Sequence, residues 1–247
     1  MSAFIHEERT AADALAFGET RVCSLDATGS ENPAAARLFM PLAGQSFALD
    51  AASFFQVNTA AAQVLARQAA QMMGTAREGS APTGALLDLY CGVGAPGLLL
   101  APGYAALLGL EQDARAVRLA RGNAGAQGML HCRYEAGDAA VLMERMAATP
   151  SMLRQNLPLA NRDDAIPAVD ALVDPPRSGL SPRALDALLA LAPERILYIS
   201  CNPTTLARDA AQIGQTYALE QLAAVDMFPH TPHVECLSLW RRACRPT

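Results

Sequence analysis

From residue 85 to residue 240 the chain alternates short apolar runs with stretches whose apolar positions recur at helical spacing. The runs at 85–90, 104–110, 129–134, 169–173, 195–199, 217–225 and 234–240 have the length and composition of buried strands. Between them, 96–101, 113–124, 139–147, 182–191 and 204–213 carry the helical pattern. Alternation of this kind predicts an α/β fold with a mostly parallel, seven-stranded, doubly wound sheet and helices on both faces. The last two strands have no helix between them, so a C-terminal β-hairpin is expected to close the sheet. Residues 149–168, rich in Pro, Asn and Asp, read as a long loop before the fourth strand.

Upstream the pattern is weaker. Residues 1–50 mix Gly, Pro and Asn with apolar pieces at 21–25, 37–42 and 46–49, enough for two or three short strands. They are expected to form a small N-terminal appendage or incomplete subdomain, with 51–247 as the main domain. Asn58 or Thr59 can cap a helix that runs through TAAAQVLARQAAQMM to a stop at Gly74.

Composition narrows the function classes. With 247 residues and 51% hydrophobic content, the chain has material for one full α/β domain. No window reaches the roughly 18 uncharged apolar residues of a membrane span. The N-terminal MSAFIHEERT carries acids where a signal peptide needs a basic region and an apolar core. A cytoplasmic protein is therefore expected. Six widely spaced cysteines, with no C-x-x-C pair, speak against zinc, iron–sulfur or dithiol chemistry, so any important cysteine acts singly. All 19 basic residues are arginine and the net charge is −5, which leaves room only for a local phosphate-binding patch.

In an open α/β sheet ligands sit beyond the carboxyl ends of the strands. The first strand ends Leu87-Asp88-Leu89-Tyr90-Cys91-Gly92-Val93-Gly94, where two glycines permit a tight turn and Pro96 suits a helix start. Glu111 closes the second strand, where an acid can accept both ribose hydroxyls, and Asp138 follows the third, where a carboxylate can receive an adenine amino group. Each could instead cap the helix that follows it. Together they favour a nucleoside cofactor, and the loop G-V-G-A-P-G lacks the dinucleotide spacing G-x-G-x-x-G.

The fourth strand runs into Asp174-Pro175-Pro176-Arg177 and the fifth into Ser200-Cys201-Asn202-Pro203, at the same sheet edge. Cys201 precedes a helix whose N-terminal dipole is expected to lower its thiol pKa. The segment 227–236 offers His230, His233 and Glu235. A metal site from His230, His233 and Cys236 fits no standard spacing, and no metal is expected. Glu235 is either an edge-strand acid facing water or a buried base with a raised pKa.

DLYCGVG at 88–94, DPPRSGL at 174–180, YISCNPTTLARD at 198–209, MFPHTPHVE at 227–235 and SFFQVN at 53–58 together resemble the RNA uracil-C5 methyltransferases. That family forms 5-methyluridine in transfer RNA and in the large ribosomal RNA. The resemblance runs from about Ser53 to Trp240 and implies a class I methyltransferase sheet, S-adenosyl-L-methionine as cofactor and RNA as partner. It makes Cys201 the nucleophile and Glu235 the base, with Gln56, Tyr90, Glu111, Asp138 and Asp174 touching cofactor or target base, beside the Gly92/Gly94 turn. Such chemistry suits these residue types: C5 of uracil attacks a methyl donor only after a thiolate adds to C6, and a base must then remove the C5 proton. The target uridine must be extruded or unpaired.

Three features depart from the family. Ala95 stands where a polar residue is usual, the chain is shorter than members carrying further N-terminal RNA-binding structure, and either Arg177, Arg183, Arg208, Arg241, Arg242 and Arg245 do more of the phosphate work or a partner helps. A shortened relative that binds cofactor or RNA without turnover, and an NAD-type oxidoreductase, are the alternatives.

Overall fold

The computed structural model describes residues 3–7, 20–25, 31–32, 38–50, 53, 55–56, 58–74, 82–158, 168–227, 229–231 and 234–243. Strands β1 (Ala3–Glu7), β2 (Thr20–Leu25) and β3 (Glu31–Asn32) form a small antiparallel sheet, and β4 (Leu38–Leu42) and β5 (Gln45–Leu49) a hairpin. The first of these, β1, has no counterpart in the sequence pattern.

Seven strands build the main sheet: β6 (Ala85–Leu89), β7 (Ala106–Glu111), β8 (Cys132–Ala136), β9 (Val169–Val173), β10 (Arg195–Ser200), β11 (Tyr217–Val225) and β12 (Glu235–Arg242). Their order is β11-β12-β10-β9-β6-β7-β8, with β12 antiparallel to both neighbours and the other pairs parallel. This is the mostly parallel sheet with a C-terminal hairpin that the alternation predicts. The central strands β6, β7 and β9 are buried on both faces, which is why they read as mostly apolar runs, interrupted by the buried Asp88 and Asp170, and not as alternating ones.

Helices α1 (Thr59–Met73), α2 (Ala95–Leu100), α3 (Ala114–Ala126), α4 (Ala139–Ala148), α5 (Pro150–Asn156), α6 (Pro182–Leu191) and α7 (Pro203–Ile213) complete the fold. The side chain of Asn58 caps α1 by accepting from the Ala61 amide, and Gly74 ends it at φ 68°, a left-handed turn that glycine adopts without strain. The reading of 149–168 as loop is corrected by α5. Pro150 can open a helix because its missing N–H would have no partner there, and Leu153 and Leu157 are drawn into the core. Residues 159–167 lie outside the described ones.

Two apolar clusters flank the sheet. One gathers α1, α2, α3 and the β4–β5 hairpin, whose Phe47 is fully buried and meets the ring of Phe55 at 6.1 Å. Asn123 of α3 ties this hairpin to the sheet: it exchanges hydrogen bonds with the backbone of Ala48 and donates to the carbonyl of Val93. The other cluster gathers α4, α6 and the opposite face of the sheet. At the end of the sheet where β6, β9 and β10 begin, Asp170 accepts from Tyr104 and Arg195, and Arg195 also donates to the carbonyl of Met73, joining α1 to the sheet. No helix among the described residues is long and apolar enough to cross a membrane.

Candidate active site

At the carboxyl ends of β6, β7, β9 and β10 lies a cavity of about 570 Å³. Four strand ends contribute to it because parallel strands present their carboxyl termini, and the polar residues that follow, to one edge. From β6 come Tyr90 and Gly92, from β7 Glu111, from the segment after β9 Asp174 and Arg177, from the end of β10 Cys201 and from the start of β12 Glu235. Gln56 approaches from before α1, and the apolar face of α1, through Ala62, Leu65 and Ala69, makes one wall. That wall is a part of the site that motif reading did not anticipate. Its signal is the buried side of α1, which is indistinguishable in sequence from ordinary core packing.

The glycine turn is built from both sides. Tyr90 leaves β6 at φ 62°, an uncommon conformation for a residue with a side chain, and Gly92 follows at φ 52°. Glu111 holds the turn, one carboxylate oxygen accepting from the Gly92 amide at 3.1 Å and the other from the Asp113 amide at 2.8 Å. The cap of α3 falls to Asp113, which accepts from Arg115. Asp138 does cap its helix, accepting from the Val141 amide, and it faces a cleft of about 50 Å³ shared with Tyr90 and Glu111. Gly94 does not line the cavity. At φ 85° it starts α2 beneath it, packed so closely that an added Cβ would lie 3.0 Å from the Tyr134 hydroxyl.

Beneath the turn, Asp88 is fully buried, and neither of its carboxyl oxygens closes a hydrogen bond of normal geometry among the described residues. Burial first, then the charge of Asp174, raises its pKa far above the usual carboxylate range, while the Gly97 backbone lying against it acts in the opposite sense.

The chemical end of the cavity holds three acids or thiols around one guanidinium. Glu235 is 5% exposed and its pKa is raised by burial, with Arg177 opposing. Half-buried Asp174 is pushed up to about 7 by burial and by the Glu235 charge. Cys201 overturns the expectation of an acidified thiol. Burial and Glu235 raise its pKa, Arg177 pulls it down, and Asp174 raises it further. Desolvation and the two nearby acids together outweigh the pull of Arg177. His230 is exposed at the loop before β12 and does not line the cavity, and His233 lies outside the described residues. No group of three or more His, Cys, Asp or Glu among the described residues could hold a metal ion.

The arginine patch is also corrected. Register pairs Ser200 with Cys236 at the cavity end of β10 but Arg195 with Arg241 at the other end, five residues of strand away, or about 16 Å. There Arg241 pairs with Glu220, and Arg242 donates to the Ala192 carbonyl. Arg183 pairs with Glu144 on a helix surface, Arg208 binds the loop after β9, and Arg245 lies outside the described residues. Of the arginines among the described residues, Arg177 lines the cavity.

Comparison with known proteins places this geometry. The chain is 39% identical over 188 residues to an uncharacterized RNA methyltransferase of Nitratidesulfovibrio vulgaris, covering 76% of this chain and 36% of that protein. It is 34% identical over 209 residues to one of Caldanaerobacter subterraneus, covering 83% and 41%. The chain thus spans about two fifths of the length of these relatives. The crystal structure of Pyrococcus abyssi tRNA (uracil-54, C5)-methyltransferase in complex with S-adenosyl-L-homocysteine superposes with a TM-score of 0.67 at 25% identity, over 96% of this chain and 50% of that one. Residues 41–243 match the tRNA (uracil-5-)-methyltransferase family, and with that match covering most of its length the chain belongs to this family.

Proposed function

We propose that this protein transfers a methyl group from S-adenosyl-L-methionine to C5 of a uridine in transfer or ribosomal RNA, through a covalent bond between Cys201 and C6 of the base. The observation that carries the reading is that Cys201 and Glu235, at adjoining ends of β10 and β12, line the same cavity as the Glu111-held glycine turn. A volume of about 570 Å³ is in the range of cofactor sites, and four lining acids, Glu111, Asp113, Asp174 and Glu235, suit a ligand bearing a positive charge. Gly92, Glu111 and Tyr90 would hold the nucleoside part, with Asp138 at the adenine side and Gln56 and Asp174 touching the cofactor or the target base. Bound there, the cofactor supplies an electrophilic sulfonium methyl.

Cys201 gives up its proton to solvent and its sulfur adds to C6, which turns C5 into an enolate carbon able to take the methyl from the sulfonium, whose sulfur would leave as the neutral thioether. The raised pKa of the thiol means that this deprotonation must be assisted, and Arg177 favours it by stabilising the thiolate. Glu235 then removes the C5 proton, for which a raised pKa makes it a stronger base, and the thiolate leaves as the C5–C6 double bond reforms. The division of the chain near residue 50 and a cytoplasmic location belong to the same proposal. The β4–β5 hairpin, with Phe47 and Leu49 in the α1 cluster, is the part before that division which supports the site.

The test separates the two roles. With unmodified RNA and labelled cofactor, Cys201→Ala should abolish methylation and any covalent protein–RNA species, whereas Glu235→Gln should accumulate RNA attached through Cys201 as a retarded band on a denaturing gel. Normal methylation by Cys201→Ala would overturn the adduct.

A further inference from the structure

The segment that brings Arg177 to the cavity is fastened to the helix that follows Cys201. The Arg177 carbonyl accepts from Asn202 Nδ2 at 3.2 Å and from Thr205 Oγ1 at 3.3 Å. The Arg208 guanidinium donates to the carbonyls of Ser178 at 3.0 Å and Leu180 at 2.9 Å. Asp209 accepts from the Leu180 amide at 2.9 Å, from the Tyr198 hydroxyl at 2.6 Å and from Arg208 Nε at 2.8 Å.

Asp209 is 2% exposed, and these donors satisfy its carboxylate oxygens inside the protein. Gly179 sits in the middle at φ 73°, and an added Cβ there would lie 2.6 Å from Arg208 Nη2 and 2.7 Å from Asp209 Oδ2. Neither Arg208 nor Asp209 lines the cavity.

We propose that Asp209 and Arg208 are positioning residues: a clasp that locks the Arg177 segment onto α7, so that one guanidinium is held at a set place beside Cys201. The groups facing that thiol are Glu235 on β12 and Asp174 and Arg177 after β9, two acids against one cation. A small displacement of Arg177 therefore leaves the thiol with the acids alone. A buried carboxylate paired with a half-exposed guanidinium here is better explained by the need to fix a charge than by stability, since desolvation of the buried partner offsets much of what such a pair contributes. The consequence for catalysis rests on Cys201 being the reacting thiol, but the clasp itself is tested without RNA.

The measurement is the pH dependence of Cys201 alkylation by iodoacetamide, read by peptide mass spectrometry in the intact chain, with Cys236 in the same samples as an internal standard. Arg177→Gln should slow Cys201 alkylation at pH 8 by about three- to tenfold and move its midpoint upward. Asp209→Asn, Arg208→Gln and Gly179→Ala should do the same while the Cys236 profile stays put. Thr205→Val should shift it less, and Thr205→Ser, which keeps the hydroxyl, should restore the wild-type profile.

If Asp209→Asn does not fold, half-exposed Arg208 and the Gly179→Ala wedge decide the matter. A Cys201 profile that moves in Arg177→Gln but not in the folded clasp variants overturns the proposal, and so does one that Arg177→Gln leaves unmoved. These outcomes are independent of the adduct, which fails only if Cys201→Ala still methylates RNA.

Discussion

Burial, and after it the Glu235 carboxylate at the start of β12, raises the pKa of Asp174, just past the end of β9, up to about 7. In the unfolded chain the same group would lose its proton near 3.8. The folded protein thus holds a proton there that unfolding releases between these values. The contribution is fully present at low pH and is lost as pH rises through about 7. Melting temperatures measured from pH 5 to 8 should fall more steeply in the wild type than in Asp174→Asn, a difference on the order of 1 kcal/mol for a half-buried group. Parallel curves would show that Asp174 ionises normally.

Glu111 has two jobs on one side chain, holding the Gly92 turn and facing the cavity. Calorimetry should find S-adenosyl-L-methionine binding weakened by about 1–3 kcal/mol in Glu111→Ala, the range for losing hydrogen bonds to a charged group. Glu111→Gln should fall between, because its amide oxygen can still accept one backbone N–H. Wild-type affinity in Glu111→Ala would remove this residue from the cofactor site.

Gly97, in the first turn of α2, leaves room for Asp88: a Cβ there would lie 2.2 Å from Asp88 Oδ2. Because that carboxyl is enclosed and cannot swing away, Gly97→Ala should destabilise the fold by at least about 1–3 kcal/mol in urea. Gly122→Ala, on α3 with nothing within 4 Å of the added carbon, should instead stabilise it by up to about 1 kcal/mol. Equal effects of the two would mean that helix propensity, not the contact with Asp88, sets the outcome.

RNA affinity should respond to arginines according to their end of the sheet. Arg177→Gln should weaken binding and reduce the salt slope by about one. Neutralising Arg241 and Arg242 together should leave the slope as it is, because they lie about 16 Å from the cavity end of β10. A flattened slope in the double variant would place RNA along the opposite end of the sheet.

The seven strands, their helices and the closing hairpin were legible in the sequence, because both periodicity and burial are local properties of each element. The boundaries of 104–110 and 129–134 moved to Ala106–Glu111 and Cys132–Ala136, since strand ends are set by pairing with neighbours and not by composition. The helix at 150–156 was hidden by its Pro and Asn content, which marks loops as readily as helix starts. Tyr90, Gly92, Glu111, Asp174 and Cys201 stood out as residue types following parallel strands, and they line one cavity because parallel strands end at one edge; Gln56, ahead of α1, and Glu235, opening the antiparallel β12, are brought to the same cavity by the packing.

What only the tertiary structure decided are the quantities that depend on distance through space. Burial, and after it the balance of two acids against one arginine, raises the Cys201 pKa where the helix that follows it led one to expect a lowered one. The register of β10 on β12 separates Arg241 from the site even though it lies six residues after Glu235. The hydrogen bonds of Arg208 to Ser178 and of Asp209 to Leu180, in the segment that carries Arg177, join parts of the chain some 30 residues apart. A sequence states which charges exist, whereas their energies follow from separation and desolvation, which the packed chain alone sets.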